Sequence, residues 1–158
     1  MNIHLKIKSF VFLIFISIFC IHQSLAIENW TDGPILQKIM TYQEVRAAFE
    51  RRGMRESQID KLIKDSTFGE SNLGFLYPRF TTTSDYDRKL MIAENGDRKV
   101  IMIGIARALL EVEEKPVTQE SVRARIPDAI KYFCTLREKH VPKGTWLQDP
   151  DGNWLMKK

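Results

Sequence analysis

The chain has 158 residues, of which 44% are hydrophobic and 28% charged, with a formal net charge of +4 at pH 7. This length is sufficient for one domain with its own hydrophobic core. Two cysteines and three histidines exclude a disulfide-rich framework, and the weak net charge gives little reason to expect a nucleic-acid partner.

The first 26 residues are typical of a secretory signal peptide. Lys6 and Lys8 precede an apolar run over residues 10–21, and Ser24 and Ala26 supply the small residues that signal peptidase requires. The run is shorter than the roughly 20 apolar residues that span a bilayer. We therefore predict cleavage after Ala26 and a mature protein that does not span the membrane and works in the periplasm or outside the cell.

Cleavage leaves very few residues with reactive side chains. It lowers the formal charge by two, because Lys6 and Lys8 are lost, and it leaves one cysteine, Cys134, and one histidine, His140. An internal disulfide and a Cys/His zinc site are then both excluded, and we expect the apolar core alone to hold the domain together. Cys134 lies in an apolar helical stretch, where it is either buried and inert or paired between two chains.

The first part of the mature chain predicts an N-terminal arm, residues 27–40, and then two short helices. Thr41 and Glu44 form a capping box, which predicts a helix start, and Gly53 is expected to end that helix in the left-handed conformation. A second helix is predicted over residues 56–65. Such helix pairs occur in DNA-binding proteins, but an exported protein meets little DNA.

Charges of both signs alternate along these two helices. The residues concerned are Arg46, Arg51, Arg52 and Arg55, with Glu44, Glu50 and Glu56 between them. Mixed signs at helical spacing are typical of a solvated face with ion pairs inside the helix.

Residues 66–83 have no helical period, and we predict a long loop of the kind that is often functional. It contains four residues of the types that anchor protein interfaces: Phe75, Tyr77, Arg79 and Phe80. We expect these side chains to belong to a partner-binding surface.

A third helix is predicted from its cap, Ser84, to Asn95-Gly96, and a strongly apolar fourth helix over about residues 97–114. We expect the fourth helix to be the centre of a bundle. Its Gly104 would let a neighbouring helix approach closely. Its basic start and acidic end oppose the helix dipole, which destabilises the helix. We therefore expect either that packing outweighs this cost or that the charges pair with residues elsewhere.

Two more helices and a hairpin complete the prediction. Thr118 caps a fifth helix, and Pro127 opens a sixth in its first turn. Residues 145–156 then change to a β period around an Asp-Pro-Asp-Gly turn. The predicted register pairs Trp146 with Met156, Leu147 with Leu155 and Gln148 with Trp154. Because a lone hairpin is unstable in water, one of its faces must dock on the helices or on another molecule.

One short stretch offers an enzymatic alternative. Glu70-Ser71 follows a short predicted helix, and this stretch resembles the start of lytic transglycosylase domains, in which the glutamate is the acid. The resemblance implies that Glu70 protonates a sugar chain of peptidoglycan. The Gly-rich stretch that follows in that family is replaced here by Gly74-Phe75-Leu76-Tyr77-Pro78. A lone carboxyl can act as this acid only if burial raises its pKa.

These observations predict a mainly α fold: five to six short helices around the central apolar helix, in a single domain over residues 41–158 that ends in the hairpin. The predicted function is a non-enzymatic protein-binding module without metal or cofactor, such as an accessory part of a bacterial envelope or secretion machine, or an inhibitor or immunity factor. Trp146 and Trp154 join the loop residues as partner-binding candidates. The alternatives are a lysozyme-like enzyme that uses Glu70 and a structural homodimer.

Overall fold

The computed structural model describes residues 33–80 and 83–158, so the predicted signal peptide and residues 27–32 of the predicted arm lie outside the described residues. The described chain is mainly helical and ends in a hairpin, as predicted. Its elements are α1 (Pro34–Ile39), α2 (Gln43–Lys64), β1 (Phe68–Glu70), β2 (Leu76–Pro78), α3 (Asp85–Val112), α4 (Gln119–His140), β3 (Trp146–Gln148) and β4 (Trp154–Met156). None of the helices described is both long and apolar enough to cross a bilayer.

The described helices are fewer and longer than predicted. α2 continues through Gly53, α3 continues through Asn95 and Gly96, and α4 contains Pro127 in its interior. All three predicted breaks are wrong, and residues 97–112 are the second half of α3 rather than a separate helix. A glycine costs about 1 kcal/mol and a proline about 3 kcal/mol inside a helix. Tertiary packing of long helices outweighs these local costs.

The predicted helix caps have mixed outcomes. The capping box at Thr41 is wrong: α2 begins at Gln43, and the Thr41 hydroxyl instead donates to the carbonyl oxygen of Lys38 at 2.7 Å. The caps at Ser84 and Thr118 are confirmed. Their hydroxyl oxygens accept hydrogen bonds from backbone amides three residues later, at 3.0 and 3.1 Å respectively.

α3 contacts each of the other three described helices. The predicted close approach at Gly104 is confirmed, because a Cβ added there would lie 2.5 Å from Cγ2 of Val45 on α2. The acidic end of α3 also has partners, which confirms the expectation that its charges are met by other parts of the chain. Glu111 pairs with Lys38 at 2.6 Å and accepts a hydrogen bond from the Tyr42 hydroxyl at 2.8 Å.

The segment 66–83 is not a plain loop, because it contains β1 and β2, which pair in antiparallel fashion. The four strands form one sheet in the order β2-β1-β3-β4, and β1 runs parallel to β3 with Glu70 opposite Leu147. The predicted register of the C-terminal hairpin is confirmed at all three pairs. The hairpin therefore docks on β1 by continuing its sheet.

Alternation along the strands gives this sheet two different faces. Phe68, Glu70 and Leu76 are buried and define the face toward the helices. Gly69 and its partner Tyr77 lie on the opposite face. Because Glu70 is opposite Leu147, Trp146 on β3 lies on the face of Gly69 and Tyr77, and so does Trp154 on β4.

Candidate partner-binding surface

We call the face that carries Gly69, Tyr77, Trp146 and Trp154 the outer face. All four strands contribute these residues, so the sheet brings together two distant parts of the sequence. Their shared face follows from the register of the two hairpins and from the pairing of β1 with β3. The predicted partner-binding tryptophans and Tyr77 are therefore on one surface.

Arg79 follows β2 and lies against both tryptophans. The carbon at the centre of its guanidinium group is 4.3 Å from the ring centroid of Trp146 and 4.5 Å from that of Trp154. Its backbone amide donates to the carbonyl oxygen of Thr67 at 2.9 Å, which fixes the chain that carries it. Cations over aromatic rings are stabilised by about 0.5–2 kcal/mol, depending on desolvation. We call Trp146, Arg79 and Trp154 the tryptophan–arginine stack.

The stack requires glycine at position 69. A Cβ added to Gly69 would overlap the ring of Trp154 and lie 3.1 Å from Cδ of Arg79. Trp154 therefore lies directly on the backbone of β1, which a residue with a side chain would prevent. The sequence alone gives no indication of this role for Gly69, because Trp154 is 85 residues away in the chain.

The six predicted partner-binding residues separate into two groups. Tyr77, Arg79, Trp146 and Trp154 are brought together at the outer face, where Tyr77 is 47% exposed and the other three are half-buried. Phe75 precedes β2, and its backbone amide and carbonyl both bond to Ser71. Phe80, which is 61% exposed, follows Arg79 and lies outside the stack.

Glu70, the residue of the enzymatic alternative, is on the helix-facing side of the same sheet. Its Oε1 accepts hydrogen bonds from Nη2 of Arg137 at 2.6 Å and from Nη2 of Arg98 at 3.0 Å. Its Oε2 accepts a further bond from Nη1 of Arg98. Both carboxylate oxygens are therefore engaged by arginine donors in a buried position.

These two arginines control the ionisation of Glu70. Burial alone would raise the pKa of its carboxyl group, but the charges and hydrogen bonds of Arg137 and Arg98 outweigh burial and lower the pKa to about 2. At neutral pH the group is a carboxylate that holds no proton. The geometry therefore gives no support to Glu70 as a general acid, which needs a raised pKa.

Glu70 nevertheless lies at the wall of a cleft of about 530 Å³. The cleft is bordered by α4 and by the C-terminal hairpin, and its lining includes Cys134, Arg137, Leu147, Leu155 and Lys157. The Cys134 thiol is half-buried and donates to the carbonyl oxygen of Asn72 at 3.5 Å. Burial raises the pKa of this thiol, so little reactive thiolate is present at neutral pH.

Glu70 is one end of a larger set of paired charges in which all three carboxylates are buried. Arg98 connects it to Glu94 at 2.9 Å, and Glu94 in turn pairs with Arg52 of α2 at 2.7 Å. Arg55 joins Glu94 to Asp97, with a shortest distance of 2.5 Å. We call this set the buried ion network; its members are Glu70, Glu94, Asp97, Arg51, Arg52, Arg55, Arg98 and Arg137.

The buried ion network contradicts two predictions made from the sequence. The arginines of α2 do not form a solvated face with pairs inside the helix, since Arg51, Arg52 and Arg55 reach carboxylates of α3. The core is also not purely apolar, because Arg98 and Glu94 are among its most deeply buried side chains. Glu94 and Arg98 are four residues apart on one helix, which is the one local pattern that could have indicated the network.

Neither a metal site nor a known relative identifies this surface. Within residues 33–80 and 83–158, no three His, Cys, Asp or Glu side chains are grouped so that they could hold a metal ion. His140, the one described histidine, is exposed at the end of α4, with Nδ1 2.7 Å from the carbonyl oxygen of Leu136. Comparison of the chain with protein-family models, curated proteins and solved structures finds no match.

Proposed function

We propose that this chain is an exported, non-enzymatic module that binds another protein through the outer face of its sheet. The observation that carries this proposal is the tryptophan–arginine stack, with the exposed Tyr77 on the same face. Tryptophan, tyrosine and arginine are the residue types that contribute most to binding energy at protein interfaces. Here they are gathered from two hairpins onto one surface.

The arrangement supports a preorganised interface rather than an adaptable one. The side chains of Arg79, Trp146 and Trp154 restrain one another, and Trp154 also rests on Gly69. Ordering a long side chain such as arginine on binding costs roughly 0.5–1.5 kcal/mol, and a side chain that is already held avoids most of that cost. Rigid anchors of this kind favour a defined partner.

The predicted signal peptide places this module in the periplasm or outside the cell, and the partner in the cell envelope. An accessory subunit of an envelope or secretion machine and an inhibitor or immunity factor both fit a contact surface of this kind. N-terminal sequencing of the protein recovered from the cell tests the export step. We expect a chain that begins at Ile27, and a protein that retains Met1 in the cytosol would contradict it.

The binding function is tested by photo-crosslinking in the native cell. A photoreactive phenylalanine analogue replaces Tyr77, and the matched control carries it at Tyr86, a second exposed tyrosine at the start of α3. We expect one defined protein to be captured from position 77 and not from position 86. Capture of the same products at both positions, or of none at either, would contradict the proposal.

The enzymatic alternative has a separate test. Turnover of purified peptidoglycan by the wild-type protein, lost in Glu70→Gln, would establish a lysozyme-like activity despite the lowered pKa of Glu70. We expect no turnover by either protein.

The structural homodimer predicts twice the monomer mass in solution. Sedimentation at high protein concentration measures that mass, and its repetition with a reducing agent shows whether Cys134 contributes to the dimer.

A further inference from the structure

Arg79 differs from the other half-buried arginines in what surrounds its charge. Arg52, Arg55 and Arg137 each form an ion pair with a buried carboxylate. No carboxylate of residues 33–80 or 83–158 pairs with Arg79, and its charge rests against two indole rings instead. Its Nε–H is buried without a hydrogen-bond partner among the described residues.

The buried Nε–H of Arg79 is costly unless something completes its hydrogen bond. Stacking over an indole uses the flat face of the guanidinium, so the N–H donors in its plane stay available for a ligand. Leaving a buried polar group without a partner is unfavourable, and more so when the group is charged. The unbound protein therefore keeps a cation whose donors are incompletely satisfied.

From this geometry we infer that Arg79 recognises a carboxylate, and that the partner protein presents an Asp or Glu side chain to the tryptophan–arginine stack. The inference rests on the proposed binding function and names the chemistry of its partner. The planar fork of a guanidinium matches the two oxygens of a carboxylate, and such pairs form some of the strongest hydrogen bonds in proteins.

The surroundings of Arg79 favour a protein carboxylate as the ligand. The indole ring centroids of Trp146 and Trp154 lie 4.3 and 4.5 Å from the guanidinium carbon, and Tyr77 offers an aromatic ring on the same outer face. A charged pair enclosed by aromatic groups is screened less by salt than one in open water. An acidic residue with apolar neighbours on the partner fits both features of this surface, a lone cation and its aromatic frame.

A random dodecapeptide library displayed on phage tests this inference without knowledge of the natural partner. The library is selected on the purified protein, with Arg79→Gln as the counter-selection. We expect the enriched peptides to share an Asp or Glu beside apolar residues. A synthetic copy of the most enriched peptide, and a second copy with its acid changed to the amide, are then titrated by tryptophan fluorescence.

We expect the amide copy to bind wild type at least about tenfold more weakly, which corresponds to the loss of one charge-assisted pair. Arg79→Gln should bind the acidic peptide about tenfold more weakly than wild type does. It should bind the amide peptide almost as well as wild type binds that same peptide. Arg79→Lys should lose most of the affinity as well, because an ammonium lacks the planar fork. Arg123→Gln, an exposed arginine of α4, is the matched control and should bind like wild type.

Three results would overturn the inference. They are enriched peptides without a shared acid, an acidic peptide that binds wild type and Arg79→Gln equally, and a selection that enriches no peptide above Arg79→Gln. Near-UV circular dichroism shows whether each variant keeps its fold. If crosslinking at Tyr77 captures a partner while the peptides show no acid, the carboxylate chemistry fails and the binding function stands. If crosslinking captures none, the binding function itself fails.

Discussion

The two faces of the small sheet hold arginine in opposite ways. On the face toward the helices, Arg98 and Arg137 are neutralised by Glu70, and the pairs continue into α2 and α3. On the outer face, Arg79 has two tryptophan rings and no described carboxylate. The paired arginines join elements that are distant in the sequence, and in our proposal the arginine without a described carboxylate serves recognition.

This difference predicts that the two faces tolerate substitution differently. Removal of one partner from a buried pair leaves a charge in a medium of low polarity, and the penalty falls on the whole fold. Removal of Arg79 leaves no orphaned charge behind, because no described carboxylate depends on it. The inner face should therefore respond to substitution through stability, and the outer face through binding.

The largest effect is expected for Arg98→Met. This change leaves Glu70 and Glu94 buried with fewer donors, and breaking a buried pair costs about 3–5 kcal/mol. Urea unfolding followed by circular dichroism measures the loss. Arg88→Met on the same helix is exposed and should lie within about 0.5 kcal/mol of wild type. Equal stability of the two variants would contradict a structural role for the network.

A pH series should show the same network as a loss of stability in acid. The folded pKa of Glu70, about 2, lies below the ordinary value of 4.5, so its contribution is complete above pH 4.5 and is lost as the pH falls toward 2. The pKa of Glu94 is also lowered, because Arg52 and Arg98 outweigh the effect of its burial. The free energy of unfolding should therefore decrease steadily below about pH 5.

The control for the pH series is Glu70→Gln. This variant should be less stable at pH 7, and its stability should depend less on pH between 5 and 2, because one titrating group is gone. A wild-type protein whose unfolding free energy stays constant over that range would show that the arginines do not hold the carboxylates ionised.

Gly69→Ala should have an intermediate effect that is confined to the outer face. The added methyl group displaces Trp154 from the backbone of β1, and overpacking of this kind costs about 1–3 kcal/mol. The near-UV circular dichroism of the tryptophans should change and crosslinking at Tyr77 should fall. Gly53→Ala is the matched control: its Cβ meets nothing within 4 Å, and it should stabilise α2 by up to about 1 kcal/mol.

The smallest effect on stability is expected for Tyr77→Ala. The side chain is 47% exposed at an edge strand, so unfolding should change by less than about 1 kcal/mol. The variant should nevertheless fail to co-purify with the partner that crosslinking from position 77 identifies. A variant that unfolds, or that retains the partner, would show that the binding surface lies elsewhere.

Local signals in the sequence account for part of this structure. The Asp-Pro-Asp-Gly turn predicted the C-terminal hairpin and its register correctly, because turn type and alternation are both local properties. The hydroxyls of Ser84 and Thr118 likewise marked two helix starts. The breaks predicted at Gly53, Asn95-Gly96 and Pro127 were wrong, because packing between distant helices overrides local propensity.

The arrangement of the site depends on contacts that no local pattern reveals. The residue types at the outer face were predicted from their usual role in interfaces, but the pairing of β1 with β3 that unites them joins segments 77 residues apart, at Glu70 and Leu147. The buried ion network is non-local in the same way. The sequence around Glu70 indicates nothing of its partners Arg98 and Arg137, because they come from two other elements.

The most direct test compares Arg79→Gln with Arg137→Gln, two substitutions of the same kind on opposite faces of the sheet. For each variant, the free energy of unfolding and the crosslinking yield at Tyr77 are measured under conditions where both proteins are folded. We predict that Arg79→Gln keeps its stability within about 1 kcal/mol and loses the crosslink, and that Arg137→Gln loses stability and keeps the crosslink. The reverse pattern would contradict the division of roles between the two faces.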